Sequence, residues 1–162
     1  MSDPLPPLLS EEIVAFMKRG VSIVAASRDD CLQASMARVG GCHVAPDRRS
    51  VTLVLSARQS VALLADVTAC GQIAVAITEP STHRTVQLKG SDAVVEPLRP
   101  FDHASAEAHI EAFVAEVGPM GYGEALTRAV VHPRPDDRVA ISFTPLQAFS
   151  QTPGAKAGEA IR

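Results

Sequence analysis

Three adjacent polar residues, Arg58, Gln59 and Ser60, bring a cation, an amide and a hydroxyl to one point of the sequence. They follow an apolar stretch typical of a β-strand, residues 50–56, and open a helical pattern over residues 60–70. A phosphate placed here would accept hydrogen bonds from these side chains and from the free N–H groups of the first helical turn. The segment therefore predicts a phosphate site. The alternative, from these three residues alone, is that Arg58 only caps a loop and Ser60 only caps the helix.

A second polar segment, residues 82–90, has the pattern of a basic β-strand that ends at a glycine. Its alternation places Thr85, Gln87 and Lys89 on one face of that strand. A polar face on a small barrel is costly unless a ligand or open solvent satisfies it. If this strand lies near Arg58 in the fold, the two segments together predict a small β-barrel that holds a phosphorylated cofactor.

Motifs for other chemistries are absent from the sequence. The five histidines show no metal-ligand spacing, and the three cysteines form no Cys-x-x-Cys pair. There is no nucleophile elbow, no glycine-rich dinucleotide fingerprint and no Walker loop. Glu107 and Glu111 are spaced to share a helix face, which a solvated face explains. We therefore expect no metal site, and the sequence assigns no catalytic residue.

Length and composition favour one globular domain without membrane or nucleic-acid partners. The 162 residues are 46% apolar, which is sufficient for a core, and no apolar run approaches the length of a membrane span. The first seven residues carry an acid and prolines where a secretory signal has a basic and then an apolar region, so we expect a cytoplasmic protein. The net charge of −3, with scattered basic residues, gives no general attraction to nucleic acid. Widely spaced cysteines predict reduced thiols.

The hydrophobic pattern predicts a mainly β protein with peripheral helices. Short strands joined by hairpins favour an antiparallel Greek-key barrel over a doubly wound sheet. We interpret residues 1–162 as one domain, with a helical insertion at about 97–137 and a tail from 151 that is loosely held or packed on a partner. The predicted strands are residues 21–27, 31–39, 50–56, 72–78, 84–95 and 138–149, and the predicted helices are residues 10–20, 60–70, 101–117 and 121–131.

Local signals set several boundaries within this pattern. Ser10 and Ser60 are predicted N-caps, and Gly71 is a predicted C-terminal stop. The pair Gly40 and Gly41 is expected to break the second strand as a bulge or bend.

The order of these segments resembles the pyridoxamine 5'-phosphate oxidase-like family of FMN-binding split barrels. The resemblance spans about residues 8–96 and again 138–158, and it implies a six-stranded antiparallel Greek-key split β-barrel. The segments that carry it are the apolar strand leading into Ser56-Ala-Arg-Gln-Ser60, the helix ending in Ala-Cys-Gly71, the strand Gln72-Ile-Ala-Val-Ala-Ile77, the stretch Arg84-Thr-Val-Gln-Leu-Lys-Gly90 and the tail Gln151-Thr-Pro-Gly-Ala-Lys-Ala-Gly158.

The resemblance also implies a cofactor and its binding site. Members of the family are homodimers that bind FMN at the subunit interface and transfer electrons between the flavin and a small molecule. By position, the flavin phosphate would be held by Arg58, Gln59 and Ser60. The isoalloxazine ring would lie against Ser35, Met36, Ala37, Val54, Leu55 and Ser56, with Thr85 or Gln87 at its polar edge.

Departures from the family pattern set limits on the function. The chain lacks the tryptophan and the longer C-terminal segment of the founding oxidase, and Gln59 stands where a lysine or arginine is usual. We therefore predict an FMN-dependent oxidoreductase of unknown small-molecule substrate, and not pyridoxamine phosphate oxidation. One alternative is a non-catalytic flavin-, haem- or deazaflavin-binding protein on the same barrel, with His132 as the default haem ligand. Another is a dimeric scaffold that has lost its ligand.

Overall fold

Buried residues alternate with half-buried ones in the strands at residues 22–28 and 73–78, whereas the strand at residues 51–56 is buried throughout. The computed structural model describes residues 8–161. Within that range the chain forms a β-sheet with four α-helices and short 3-10 turns. The strands are β1 (Ser22–Arg28), β2 (Ala34–Val44), β3 (Val51–Ser56), β4 (Ile73–Thr78), β5 (Thr85–Gly90), β6 (Val94–Glu96), β7 (Arg138–Phe143) and β8 (Gln147–Ser150). The helices are α1 (Glu11–Met17), α2 (Val61–Cys70), α3 (Pro100–Val117) and α4 (Glu124–Val131).

The described strands form one antiparallel sheet of eight strands, in the order β6-β7-β3-β2-β1-β4-β5-β8. Six strand spacings of about 4.8 Å separate β7 from β8, or about 29 Å along the sheet. The link between those two strands, residues 144–146, spans at most about 14 Å. The sheet must therefore curl into a barrel, and it stays open because β6 and β8 are its two edges.

The prediction of six strands is wrong, because each of two predicted strands is in fact a pair of strands. The predicted strand 84–95 is two strands, β5 and β6, and the predicted strand 138–149 is also two, β7 and β8. In each case the chain crosses the opening of the barrel from one end of the sheet to the other. Pro145 lies in the second crossing and has no N–H for a continuous ladder. The mainly β architecture with peripheral helices is confirmed.

Strand β2 begins later and ends later than predicted. It continues past the glycine pair because these residues bend the strand without ending it. The register with β3 shifts between Val39 and Gly41, so the expected bulge is present. A Cβ on Gly41 would lie 2.6 Å from the Cα of Ala106, and a Cβ on Gly40 would lie 2.3 Å from a ring carbon of Pro133. Glycine here allows the helical insertion to pack directly on the strand.

Helix α2 ends as predicted but begins differently from the prediction. Gly71 ends α2 with φ +66°, as predicted for a left-handed C-terminal residue. At the other end a 3-10 turn, Arg58–Ser60, precedes α2, and the Ser60 side chain makes no capping bond. The hydroxyl of Ser56 accepts the Gln59 N–H at 3.2 Å instead, so Ser56 caps this helical segment. The cap predicted at Ser10 is present, with the Ile13 N–H donating to its hydroxyl at 3.3 Å.

The inner faces of the strands pack into one apolar core, and the helical insertion covers part of the outside. Helix α3 packs on the outer faces of β2 and β3, so that Val54 and Ala140 are also fully buried. The tail forms a short hairpin with β8, in which Phe149 pairs with Ala160. No helix within residues 8–161 combines the length and apolarity needed to cross a membrane. The expectations for the first seven residues, and for Arg162 at the end of the tail, lie outside the described residues.

Candidate functional site

The predicted phosphate site is a turn at the end of β3, and a carboxylate already binds there. The Ser56 hydroxyl donates to Oδ2 of Asp137, and the backbone N–H of Arg58 donates to Oδ1 of the same carboxylate at 3.1 Å. The Arg58 guanidinium lies 3.6 Å from that Oδ1 and is 75% exposed. Hydrogen bonding from Ser56 lowers the pKa of Asp137 below its ordinary value, and Arg58 adds to the effect, so the carboxylate is charged at neutral pH. The turn therefore binds an oxyanion.

Ser60, the third predicted phosphate ligand, is 2% exposed and its hydroxyl has no hydrogen-bond partner among residues 8–161. A buried hydroxyl without a partner costs about 1–3 kcal/mol. Such groups are rare unless water or a ligand satisfies them. Gln59 is exposed beside it and lines the same cavity of about 190 Å³ as Ser56 and Asp137.

The outer face of the sheet beside this turn carries small and partly exposed residues. We call it the outer face and define it by the outward residues of β2, β1, β4, β5 and β8. Arg38 lies next to Val24, which lies next to Ala76, and this row continues to Gln87. The small central residues leave room for a planar group or for a second sheet. The outward residues are Met36, Arg38, Val24, Ala26, Ala74, Ala76, Gln87, Lys89, Gln147 and Phe149.

The residues predicted to line the isoalloxazine ring divide between the two faces of the sheet. Met36 is on the outer face and 70% exposed, so its side chain is available to a ligand. Ser35 and Ala37 have the opposite orientation, and Ser35 donates to the Asp66 carboxylate of α2 at 2.5 Å. Val54 and Leu55 lie on β3 with no exposed surface. Ser56 lies at the phosphate turn and is engaged by Asp137.

The polar strand β5 does not reach this turn within one chain. Thr85 and Gln87 lie on the outer face, but three strand spacings of about 4.8 Å separate β5 from β2. Arg84 pairs with Glu12 at 2.6 Å, and the Lys89 ammonium lies over the ring of Phe149. The structure therefore brings Ser35 to Ala37 close to the turn at Ser56 to Ser60, and leaves the β5 residues on a separate part of the face.

A buried arginine below the same cavity was missed by sequence reasoning. Arg138 donates to the Pro133 carbonyl at 3.0 Å and to the Glu107 carboxylate, and it lies 2.7 Å from Nε2 of His132. The hydrogen bond from Arg138 lowers the pKa of Glu107, so the pair is ionised at neutral pH. The network holds the end of the insertion on the barrel. It also engages Nε2 of His132, the residue named as the default haem ligand.

A second polar cluster lies between α1, β2 and α3, beside a cavity of about 510 Å³. His43 donates from Nε2 to the fully buried carboxylate of Asp102 at 2.6 Å, and the Arg99 N–H donates to the same carboxylate at 2.7 Å. Burial lowers the pKa of His109 to about 4 and raises the pKa of Cys42 to about 12, so both are neutral at pH 7. Among residues 8–161, no group of three or more potential ligands is placed to hold a metal ion.

An apolar groove of about 580 Å³ runs between the insertion and the edge of the outer face. It adjoins the turn at Ser56 to Ser60, because Arg38, Val130 and Val131 line both cavities. The sheet side is mostly polar and the helix side mostly apolar. The helix side consists of Phe113, Val117, Met120, Tyr122, Leu126, Thr127, Val130 and Val131.

The donors at the turn fit a phosphate in kind, since a backbone N–H, a serine hydroxyl and a guanidinium already hold an oxyanion there. The small residues at the centre of the outer face leave room for a ring beside the turn. The oxyanion in this structure is the Asp137 carboxylate, and a ligand phosphate would bind next to it or replace it.

A curled, open antiparallel sheet with an anion-binding turn beside an exposed face defines a split-barrel protein. No protein-family model matches the sequence, and no curated protein shows a significant match. Solved structures do match. The HupZ protein of Group A Streptococcus is 13% identical over 93% of this chain and 100% of its own, with a TM-score of 0.56. An F420 reductase is 15% identical over 86% of this chain and 98% of its own, with a TM-score of 0.55.

A third structure is that of a pyridoxamine 5'-phosphate oxidase-related, FMN-binding protein from Nostoc punctiforme. It is 11% identical over 96% of this chain and 98% of its own, with a TM-score of 0.52. At these identities the likeness concerns the fold. This chain has the split-barrel fold of the pyridoxamine 5'-phosphate oxidase-like proteins, which confirms the resemblance predicted from the sequence.

Proposed function

We propose that this protein binds FMN between two copies of the chain and is an oxidoreductase for a small molecule. The observation that carries the proposal is that an oxyanion-binding turn, Ser56 to Ser60, adjoins an exposed sheet face. Arg58, Gln59 and Ser60 would hold the phosphate, and the buried Ser60 hydroxyl would gain a partner, which it lacks among residues 8–161. The side chain of Met36 and the nearby backbone of β2 and β3 would lie against the ring. FMN supplies the electron transfer when bound, and the chain binds and orients it.

The separation between β2 and β5 supports a homodimer. Met36 and Gln87 share the outer face but lie three strands apart. If a second copy packs its outer face on the first, Thr85 or Gln87 of one copy can approach the ring held by the other. The small central residues Val24, Ala74 and Ala76 suit such packing, because they let two sheets approach closely.

The apolar groove supports a substrate with an apolar body. Its helix side is aliphatic and aromatic, and Arg38 and His83 lie on its sheet side. A pocket with apolar walls and few polar groups is the usual form of a small-molecule site. We further propose that the protein is cytoplasmic, since its three cysteines are free thiols.

The visible absorption spectrum of the purified protein, before and after addition of FMN and gel filtration, tests the cofactor. Flavin bands that remain with the protein support the proposal, and a protein that stays colourless overturns it. Addition of NADH, NADPH or dithionite without oxygen then tests the redox role. If dithionite bleaches the flavin but no nicotinamide or other small-molecule donor does, the oxidoreductase proposal is contradicted. The protein would then be a flavin-binding protein without turnover.

Mass measurement in solution tests the dimer with a matched pair of variants. Ala76→Arg places a charge at the centre of the outer face, whereas Ala69→Arg places the same charge on exposed α2. We expect the mass of a dimer for the wild type and for Ala69→Arg, and the mass of a monomer for Ala76→Arg. A wild-type monomer in the presence of FMN would contradict the proposed interface.

A further inference from the structure

The Asp137 carboxylate makes, within the protein, the contacts that a ligand phosphate would make. It accepts hydrogen bonds from the Ser56 hydroxyl and from the Arg58 N–H, and it lies 3.6 Å from the Arg58 guanidinium. These are donors of the kinds that bind phosphate at a helical turn. A phosphate and a carboxylate cannot both occupy this position, because two anions at contact distance repel each other.

Backbone pairing fixes Asp137 at this position. Strand β7 pairs with β3 so that Arg138 lies opposite Ser56, and the Ala57 N–H donates to the Asp137 carbonyl at 2.6 Å. The Asp137 N–H donates in turn to the Arg134 carbonyl at 2.9 Å. The side chain is therefore presented to the turn whether or not a ligand is present. Displacing it requires rotation of that side chain and leaves the strand pairing intact.

Other groups that line the cavity can also donate hydrogen bonds to an anion. Arg38, Gln59, His132 and Arg134 line it together with Asp137. The Ser60 hydroxyl, next to Gln59 in the sequence, is buried without a partner among residues 8–161. The turn thus has donors that Asp137 does not use, and a larger anion with more oxygens would engage more of them.

We propose that Asp137 is a specificity-determining residue that competes with the ligand's phosphate for the donors at Ser56 and Arg58. This inference rests on the proposed flavin function. The site selects against ligands whose phosphate cannot displace the carboxylate. In this protein the phosphate of a flavin therefore contributes less to affinity than the donors at Ser56 and Arg58 would allow if Asp137 were absent.

Affinity for FMN and for riboflavin, measured by flavin fluorescence, tests this in the wild type and in Asp137→Asn. Riboflavin has the same ring without the phosphate, so the ratio of the two affinities isolates the phosphate. We expect the preference for FMN over riboflavin to rise about ten-fold or more in Asp137→Asn, as a charge-assisted contact becomes available. The control is Asp136→Asn, which removes the neighbouring exposed carboxylate that pairs with Arg134. An unchanged ratio in Asp137→Asn would overturn the inference.

A second measurement keeps the inference separate from the flavin proposal. If neither flavin binds the wild type, the proposed function fails, and inorganic phosphate becomes the probe. The amide signal of Arg58 is followed by nuclear magnetic resonance as phosphate is added to both proteins. We expect it to respond at about ten-fold lower phosphate in Asp137→Asn, and equal midpoints would overturn the inference. If the asparagine variant does not fold, Asp137→Ser is measured in its place under the same criteria.

Discussion

Gly41 of β2 lies directly beneath Ala106 of α3, and a Cβ on that glycine would come within 2.6 Å of the Ala106 Cα. The contact is between backbone atoms, which cannot move aside as a long side chain can. It holds the helical insertion on the barrel, and the insertion carries the wall of the groove and leads to Asp137. Packing at this position therefore contributes to the shape of the candidate site.

Gly41→Ala is expected to destabilise the protein by about 1–3 kcal/mol, because the added methyl forces α3 away from β2. Urea unfolding measures the change. Gly118→Ala is the control, since a Cβ there meets nothing within 4 Å and its φ of −53° is helical. We expect that variant to be neutral or slightly stabilised. Equal losses in the two variants would contradict the packing argument.

Local sequence signals predicted where one helix begins and where another ends. Ser10 caps α1 and Gly71 ends α2, and both signals depend on neighbours in the sequence, so capping rules suffice to find them. The closeness of Ser35–Ala37 to Ser56–Ser60 was implied only by the family resemblance. The hydroxyl at Ser56 replaced the one at Ser60 as the cap because a 3-10 turn precedes α2.

Contacts between distant parts of the chain could not be predicted from the sequence. Asp137 meets Ser56 across a separation of 81 residues, and only the pairing of β7 with β3 brings them together. A carboxylate immediately before a predicted strand was visible in the sequence, but the partner of that strand was not. The strand count was missed for a related reason, since the two long predicted strands each cross the barrel opening to pair at opposite ends of the sheet.

The buried Ser60 hydroxyl gives a prediction about stability without ligand. Ser60→Ala removes a buried polar atom that has no partner in the described part of the chain, so we expect the free energy of unfolding to stay the same or rise by about 1 kcal/mol. Ser27→Ala is the control, because the buried Ser27 hydroxyl donates to the Gln72 carbonyl at 2.7 Å. That variant should lose about 1 kcal/mol. A comparable loss in Ser60→Ala would show that its hydroxyl is already satisfied.

Asp102 should stabilise the protein most at neutral pH. Burial raises the pKa of Asp102, but hydrogen bonds from Arg99 and His43 outweigh burial and hold the pKa below its ordinary value. A lowered pKa in the folded state contributes stability above the unfolded pKa of about 3.9, and this stability is lost as pH falls through the folded pKa. Asp102→Asn should therefore cost about 1.5–3 kcal/mol at pH 7 and much less at pH 2. Urea unfolding at both pH values measures the difference, and an equal cost at both would contradict it.

His109 should make the free energy of unfolding depend on pH in a different range from Asp102. Its folded pKa of about 4 lies below the ordinary value because burial disfavours the charged ring. Between about pH 6.5 and 4 the unfolded chain takes up a proton that the folded protein does not. The wild type should lose about 1.4 kcal/mol per pH unit across that range relative to His109→Gln. Parallel stability curves for the two proteins between pH 7 and 4 would show that His109 titrates normally.

The Arg58 side chain at the anion-binding turn is 75% exposed, so its role should appear in binding more than in folding. Arg58→Ala removes a charge-assisted contact worth about 1.5–3 kcal/mol, so we expect FMN affinity to fall about ten- to a hundred-fold. The control is Arg19→Ala, since Arg19 is also exposed and pairs with a carboxylate, Glu79, at 2.9 Å outside the cavity. Titration of flavin fluorescence measures both variants. If Arg58→Ala binds FMN as tightly as Arg19→Ala, the phosphate does not bind at this turn, and the assignment of Gln59 and Ser60 fails with it.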